Sequence, residues 1–343
     1  YFFGLSNASN IYSNILENNS GSVIKTKIVL GGGTGYIGTT KSDLTGVSVS
    51  QPISDLTNKS IYSLACLPTL GRFIIGGNYA AYWSDDGISW NKVSIVDSSY
   101  SGAGNDTYYQ NTAVYINELD KLFITSYNSN GVAFTSDGLT WNVQHPNGSN
   151  GMFAPTYISE INRLISGEIN GGVIYSDNGG TSWTYKNMQS NTYKPCGKIL
   201  FNTANKKLYA RDRTNNTNIL VSEDNGMSWN LLKTMPTELN IKTWVYISEM
   251  DRIVAATAGY TAIVSIDSEG TLHYDKKYSG SNYIREIHYF GNDNCLYVLC
   301  DNGLVGRIPL EELNTTNTTY AQATEITDYT TIGSNKWYTL AGI

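Results

Sequence analysis

Short runs of alternating hydrophobic and polar residues follow one another along most of the chain, in an order that recurs. A β-rich run comes first and ends on Tyr-Ile, a polar residue and Glu, as at 115–118 and 157–160. A turn then leads to a second run that opens with a cation, as at Arg72, Arg163 and Arg252. Alternation with a period of two is typical of β-strands, and no unit shows the 3.6-residue period of a helix. The pattern therefore predicts an all-β protein.

In four of the units, a polar turn ending in Trp follows the third run. Its clear copies lie at 84–90, 135–141, 176–183 and 222–229. Each copy has Ser or Thr first, an Asp or Asn soon after, then Gly, and Ser or Thr directly before the Trp. An Asp in a tight turn can accept hydrogen bonds from nearby backbone N–H groups, and Gly allows a positive φ. The motif therefore predicts a tight turn between the third and fourth strands.

The spacing of these turns sets the number of units. Successive Trp residues of the motif are 51, 42 and 46 residues apart, which gives a period near 46. A decayed copy precedes the clear ones at 42–47, and another follows them at 265–270, with Tyr274 in place of the Trp. One more step reaches Tyr320, where no copy survives. Four short antiparallel strands in a unit of this length are typical of a β-propeller blade.

We therefore predict a single β-propeller domain over 1–343, with four-stranded antiparallel blades, most simply seven of them; six or eight remain possible. In the first blade, residues 11–16 are the expected first strand, and in the last blade residues 320–323 are the expected fourth strand. Residues 1–9 and 326–343 are assigned to closing strands or to part of an additional blade. The predicted blades are 10–49, 61–93, 111–144, 153–186, 197–233, 241–277 and 283–325.

The turn motif resembles the Asp-box, or BNR repeat, of sialidase-like β-propellers. In that family the box is a structural element placed away from the active face. The resemblance implies structural roles for eight box residues: Asp85, Trp90, Asp137, Trp141, Asn178, Trp183, Asp224 and Trp229. It also implies that ligand contacts lie on the opposite face, which carries the loops between strands two and three and the connectors between blades.

Composition narrows the classes of function. Charged residues make up only 15% of the chain, the formal net charge is −6, and there is no dense Lys/Arg cluster, so a nucleic-acid partner is not expected. The longest apolar run, 253–266, is too short and too polar to cross a bilayer. Cys295 and Cys300 bracket an extended run and are too far apart for a disulfide, so buried free thiols are expected.

The loops of the expected ligand face are rich in Tyr, Asn, Ser and Gly, a composition that adaptable binding surfaces use. Tyr offers a flat apolar face with a hydroxyl, and Asn offers a donor and an acceptor, which suits sugar rings. The candidate ligand-binding residues are Tyr79, Tyr108, Tyr109, Tyr127, Asn128, Glu168, Tyr193, Arg211, Arg213 and Tyr260. Because Asn- and Tyr-rich sequences also produce such loops without a ligand, the composition alone leaves a structural interpretation open.

The function predicted from these features is non-catalytic recognition of a cell-surface glycan, by an extracellular or virion-associated protein such as a phage tail or receptor-binding module. Other subunits or domains of a larger assembly are expected as partners, without a cofactor or a metal.

The alternatives are a secreted, sialidase-like glycoside hydrolase and a protein-binding assembly propeller. Glu168 and Asp212 could form a glycosidase pair, whereas His145, His273 and His288 lack metal-ligand spacing. Arg307-Ile308-Pro309 matches a sialidase triplet but follows the recognisable boxes instead of preceding them.

Overall fold

The computed structural model describes residues 27–41, 43–57, 59–77, 80–95, 112–126, 131–257, 262–278, 284–291, 293–300, 303–313, 315–332 and 337–342. The strands in these ranges are β1 (Lys27–Gly32), β2 (Ile37–Lys41), β3 (Ser48–Ser50), β4 (Leu64–Leu67), β5 (Arg72–Gly76), β6 (Ala80–Ser84), β7 (Asn91–Ser94), β8 (Thr112–Ile116), β9 (Lys121–Thr125), β10 (Val132–Thr135), β11 (Asn142–Gln144), β12 (Thr156–Ile158), β13 (Arg163–Gly167), β14 (Gly172–Ser176) and β15 (Thr184–Asn187). They continue with β16 (Pro195–Phe201), β17 (Leu208–Asp212), β18 (Asn218–Ser222), β19 (Asn230–Thr234), β20 (Ile241–Ile247), β21 (Arg252–Thr257), β22 (Ala262–Asp267), β23 (Leu272–Lys277), β24 (Ile284–Phe290), β25 (Cys295–Cys300), β26 (Leu304–Pro309), β27 (Thr324–Glu325), β28 (Tyr329–Thr331) and β29 (Trp337–Gly342).

Helical structure in the described ranges is limited to single 3₁₀ turns of three residues, and none of these is long and apolar enough to span a membrane. Four of the turns connect the first and second strands of a blade. The 3₁₀ turns are Gly33–Gly35, Ser54–Leu56, Pro68–Leu70, Asn117–Leu119, Ser159–Ile161, Ser248–Met250, Leu310–Glu312 and Tyr320–Gln322.

The strands form seven sheets, and the fold is an all-β, seven-bladed β-propeller with mostly four-stranded antiparallel blades, as the sequence predicted. Blades two to five are β4–β7, β8–β11, β12–β15 and β16–β19, each in the chain order of its strands. Blade six is β20–β23 with β27 added at its outer edge, and blade seven is β24, β25, β26 and β28. Apolar side chains from adjacent blades pack together, so the core is a series of layers between blades.

The ring is closed in blade one by strand β29. Its order is β29-β1-β2-β3, and Leu340 of β29 lies opposite Leu30 of β1. The strand from the far end of the chain thus occupies the place where residues 11–16 were expected, and those residues lie outside the described ranges. Residues 337–342 thus act as a closing strand, one of the options that the sequence left open, but their partner is the segment 27–32. Residues 1–9, the other expected closing segment, lie outside the described ranges.

The last blade differs from the prediction at its outer edge. Residues 320–322 form a 3₁₀ turn, not the expected fourth strand, and Tyr329–Thr331 pairs with β26 in that position. Before it does so, the chain crosses to blade six, where Lys276 and Lys277 of β23 pair in parallel with Thr324 and Glu325. This detour lies where the other blades have their box turn, between the third and fourth strands.

The box turns show the hydrogen bonds that the motif predicts, with one change of residue. Asp137 Oδ1 accepts the backbone N–H groups of Leu139 and Thr140, each at 2.7 Å. Asp224 and Asn178 accept a backbone N–H in the same way. In the first clear copy the accepting residue is Asp86, not the Asp85 named from the sequence. Asp85 instead pairs with Arg72 of the neighbouring strand.

Substitution of these two adjacent carboxylates is expected to have unequal effects. Asp86→Ala removes an acceptor of two backbone N–H groups, so we expect a loss of about 1–2 kcal/mol in the free energy of unfolding. Asp85→Ala removes a surface ion pair, for which the loss is about 0–1 kcal/mol. Urea denaturation followed by tryptophan fluorescence measures both, and equal losses would contradict the assignment of Asp86.

The pKa of Asp86 gives a second signature of the same turn. The backbone N–H groups of Ser89 and Ile88 and the Ser84 hydroxyl outweigh burial and lower this pKa to about 2. A carboxyl with a folded pKa below its unfolded value stabilises the protein above the unfolded pKa and loses that contribution as the pH falls. The difference in stability between wild type and Asp86→Ala should therefore shrink as the pH falls from about 5 towards 2.

Cations at the start of the second strands connect three of the four clear boxes to the blade before them. Arg72 Nη1 donates to the carbonyl oxygen of Asp137 at 2.8 Å, and Lys121 Nζ donates to that of Gly179 at 2.9 Å. Lys27 bonds in the same way to the first box. These contacts, with the packing of each box glycine on the preceding blade, hold neighbouring blades in register. They account structurally for the cation of the second strand in blades one to three.

Candidate functional site at the loop face

Strand direction defines two faces of the propeller. The boxes and the turns between first and second strands lie on one face, here called the box face. The loops between second and third strands, and the connectors between blades, lie on the other, here called the loop face. In blades two to seven the first strand therefore begins at the loop face, beside the central channel that these inner strands surround.

Three successive inner strands are irregular near their loop-face ends. The pairing of β16 with β17 shifts between Cys196 and Leu200, that of β20 with β21 shifts between Ile241 and Thr243, and that of β24 with β25 shifts between Ile284 and Glu286. The pairings of β4 with β5 and of β8 with β9 show no such shift. A β-bulge re-aims the side chains next to it and is over-represented beside active sites.

Two of these bulges hold a cation at the rim of the channel. Lys242 is the bulged residue of β20 and is exposed, and Arg285 is the bulged residue of β24. Partial burial of the ammonium group lowers the pKa of Lys242, and the positive charges of Arg211 and Arg285 lower it further. Lys242 has no carboxylate within ion-pair distance among the described residues. The rim of blades five to seven is therefore locally positive, although the whole chain is negative.

Arg211 supports this rim from below. It belongs to β17, it is buried, and its Nη1 donates to the carbonyl oxygen of Ile241 at 3.1 Å. A Cβ at Gly197 would lie 3.1 Å from Arg211 Nη2, so the guanidinium packs against the bulge of β16. Arg211 thus connects blade five to the start of the inner strand of blade six.

Glu168 and Asp212 hold the loops of blades four and five. The two oxygens of Glu168 accept the backbone N–H groups of Asn150, at 3.2 Å, and Asn170, at 2.8 Å. Burial raises the pKa of Glu168. Asp212 Oδ1 accepts from the backbone of Lys194 and from both donors of Thr214. Hydrogen bonds within the loops thus occupy both carboxylates, which favours positioning roles over a glycosidase pair.

The loops that these carboxylates hold are polar and lie side by side. Arg213 Nε donates to the carbonyl oxygen of Ile169 at 2.9 Å, which joins the loop of blade five to that of blade four. The backbone N–H of Arg213 donates to the carbonyl oxygen of Lys194 at 2.8 Å. Tyr193 precedes Lys194 and is half-buried, while residues 189–192 and 213–216 are exposed. The result is a polar shelf beside the positive rim.

Four of the ten candidate ligand-binding residues lie in the described ranges, and the structure brings them together at blades four and five. They are Glu168, Tyr193, Arg211 and Arg213. Glu168 and Arg211 are buried, so of these four only Arg213 and part of Tyr193 are available to a ligand. The other six candidates lie outside the described residues, namely Tyr79, Tyr108, Tyr109, Tyr127, Asn128 and Tyr260.

A buried cluster of ionisable residues lies deeper in the inner strands. Lys198 of β16 donates from Nζ to the carbonyl oxygen of Trp244 at 3.4 Å. His288 Nε2 lies 2.8 Å from Glu286 Oε1, and both residues belong to β24. Burial lowers the pKa of Lys198 to about 7, against the opposing effect of Glu286. In the described part of the chain, no group of three His, Cys, Asp or Glu residues is arranged to hold a metal ion.

Sequence reasoning missed Lys198, Lys242 and Arg285. A signal for two of them was present, because 241–247 and 284–290 are both seven-residue first strands with a cation at their second position. Cations that recur from blade to blade fit a structural role, and the expected ligand contacts lay in loops, so these strand starts did not stand out. The four cysteines agree with their prediction: all are free and buried, and burial raises the pKa of Cys66 to about 12.

Comparisons with known proteins identify the fold and no family. No protein-family model matches the chain, and no curated protein matches it. Among solved structures, a protein from Lactobacillus plantarum is similar, with 12% identity, a TM-score of 0.62, and 93% of this chain and 100% of that one covered. YCF48 bound to D1 peptide has 15% identity, a TM-score of 0.61 and coverages of 82% and 87%. A catalytically inactive virginiamycin B lyase from Staphylococcus aureus has 11% identity, a TM-score of 0.57 and coverages of 81% and 83%.

These neighbours include an enzyme and a peptide-bound protein, and at such low identity they establish the propeller fold alone. They are not specifically sialidases, so the resemblance of the box turns to the sialidase-like Asp-box stays a prediction.

Proposed function

We propose that the protein is a non-catalytic recognition propeller that binds an acidic cell-surface glycan at the loop face of blades four to seven. The observation that carries the proposal is the positive rim, where bulged strands present Lys242 and Arg285 beside Arg211. A concentration of positive charge attracts an anionic group such as a sugar carboxylate. The adjacent shelf of Asn, Thr and Tyr offers donors, acceptors and a flat apolar face to the neighbouring sugar rings.

The rigidity of this surface also supports binding. Glu168 and Asp212 fix the loops from within, so little conformational entropy is lost when a ligand binds. Single sites of this kind bind weakly, and several copies in one assembly increase the avidity. We therefore propose an extracellular or virion-associated setting, such as a phage tail or receptor-binding module.

A glycan array with matched acidic and neutral saccharides tests the proposal. We expect acidic glycans to bind preferentially, with an affinity that falls as salt increases, and Lys242→Gln to weaken binding about tenfold. Lys233→Gln, which removes a cation from the outer strand β19, serves as the control and should leave binding unchanged. Exclusive binding of neutral glycans, no binding at millimolar concentrations, or equal binding by both variants would overturn the proposal.

A glycoside hydrolase is the second candidate, favoured by the buried Glu286, His288 and Lys198 beneath the rim. Burial brings the pKa of Lys198 to about 7, and acid–base catalysis needs a group with a pKa near the working pH. Turnover of fluorogenic glycosides that is abolished by Glu286→Gln would establish this function. The same substrates bound without turnover would support the recognition module.

A further inference from the structure

A cavity lies on the box face, at the opposite end of the channel from the positive rim. It is a cleft of about 420 Å³ between blades six and seven. Glu249 and Met250 come from the first turn of blade six, and the rest of the lining comes from blade seven. The cleft adjoins the segment that replaces the box turn of blade seven. Its volume falls in the range of about 300–1,000 Å³ that is usual for small-molecule sites.

The polar groups of the cleft are incompletely paired. Tyr297 donates its hydroxyl to Asp293 Oδ2 at 2.5 Å. Arg307 Nε lies 3.9 Å from the same oxygen, and Arg307 Nη1 lies 3.7 Å from Asp328 Oδ2, both too long for hydrogen bonds. Asp293 Oδ1 and Arg307 Nε are buried and have no hydrogen-bond partner among the described residues. Because buried polar atoms are nearly always satisfied, these two atoms call for a partner that the described residues do not supply.

The character of that partner follows from the two atoms that lack one. Arg307 Nε needs an acceptor, and Asp293 Oδ1 needs a donor when the carboxyl is ionised. A hydroxyl group is both donor and acceptor. An anion would meet the carboxylates of Asp293, Glu249 and Glu311, which also line the cleft. A cation cannot accept a hydrogen bond from Arg307 Nε, so a neutral hydroxyl serves both atoms better than either kind of ion.

The remaining lining suits a ligand with C–H faces. Met250, Pro309 and Leu310 supply an apolar wall next to the polar pair. We propose that this cleft binds a neutral polyhydroxyl compound of the size of one or two sugar rings, free or at the end of a glycan chain. The site is separate from the loop face, and it stands or falls independently of the function proposed there.

Saturation-transfer NMR and calorimetry with defined probes test the site. The neutral probes are methyl α-D-glucopyranoside, methyl α-D-mannopyranoside and methyl β-D-galactopyranoside, each also tested as the corresponding disaccharide. Putrescine and acetate are the charged probes. We expect at least one neutral probe to bind, and Asp293→Asn and Arg307→Gln each to weaken its binding at least tenfold. Leu310→Trp fills the cleft without altering the polar pair and should also abolish binding.

The controls separate this site from the other one. Asp177→Asn changes an exposed carboxylate on the same face of blade four, and it should leave binding unchanged. Lys242→Gln, which alters the positive rim, should also have no effect. Binding that survives Asp293→Asn and Leu310→Trp, binding of the charged probes alone, or no binding of any neutral probe would overturn the proposal and show that water alone fills the cleft. A monosaccharide that binds as well as its disaccharide indicates a free sugar, whereas a preference for the disaccharide indicates a glycan end.

Discussion

Trp229→Ala is expected to lower the free energy of unfolding by about 3–5 kcal/mol. Trp229 closes the box of blade five and is 7% exposed. Its ring packs in the layer between blades four and five with Ile158 and Ile165, and its Nε1 donates to the carbonyl oxygen of Gly226 at 3.1 Å. Truncation leaves a large cavity in this layer and removes the hydrogen bond that closes the turn. Urea denaturation followed by circular dichroism measures the loss.

The box of blade two provides a matched control. Trp90 has the same position in its turn but is half-buried, and its Nε1 has no hydrogen-bond partner among the described residues. Trp90→Ala should therefore cost less than half as much as Trp229→Ala. Equal losses would mean that the turn itself, and not burial between blades, determines the contribution of the Trp. Binding at the loop face should be the same in both variants, because the boxes lie on the other face.

Lys198→Met is expected to stabilise the protein at neutral pH, by about 1–4 kcal/mol. The ammonium of Lys198 is buried between inner strands, where one long hydrogen bond to Trp244 replaces its hydration. Met has a similar volume and no charge to desolvate. Glu286 keeps its contact with His288 in the variant. Thermal denaturation of the two proteins at pH 7 gives the difference.

The pH dependence of stability tests whether the ionisation of Lys198 causes this difference. The pKa of Lys198 is about 7 in the folded protein and about 10.4 in the unfolded chain, so the unfolded state binds more protons between these values. Wild-type stability should therefore rise as the pH increases from 7 to about 9.5, and Lys198→Met should reduce this slope. Lys233→Met on β19 is the control for the change of residue type. A variant that is less stable at pH 7 and keeps the slope would show that Lys198 is charged and stabilising.

The sequence predicted the fold because the fold rests on local signals. The box turn, the cation of the second strand and the alternation within strands each recur in several blades. A copy that has lost the motif can therefore still be located from the spacing of the others. The choice of Asp85 over Asp86 shows the limit of this reasoning. Two adjacent carboxylates fit the same turn, and only the hydrogen bonds distinguish the acceptor from the partner of Arg72.

The candidate site was harder to predict because its determinants are not local. The bulges of β16, β20 and β24 have no characteristic composition. Lys242 and Arg211, whose charges interact, belong to different blades. The polar pair of the cleft is likewise not local in sequence, because Asp293 precedes β25 and Arg307 lies on β26, opposite Tyr297. Residues 310–328 leave blade seven for blade six and return. No residue pattern in this segment predicts that path of the chain.

The contacts between boxes and preceding blades also affect how such a ring can change in size. Arg72 supplies a donor to the following blade, and its own blade supplies the acceptor for Lys27. A duplicated unit of this kind would arrive with both halves of the contact, and would join its neighbours on either side without new interface residues. The contacts between blades therefore allow whole units to be added by tandem duplication or lost by deletion. The β29–β1 pairing marks the one junction where a copied unit would have to be accommodated by the ends of the chain.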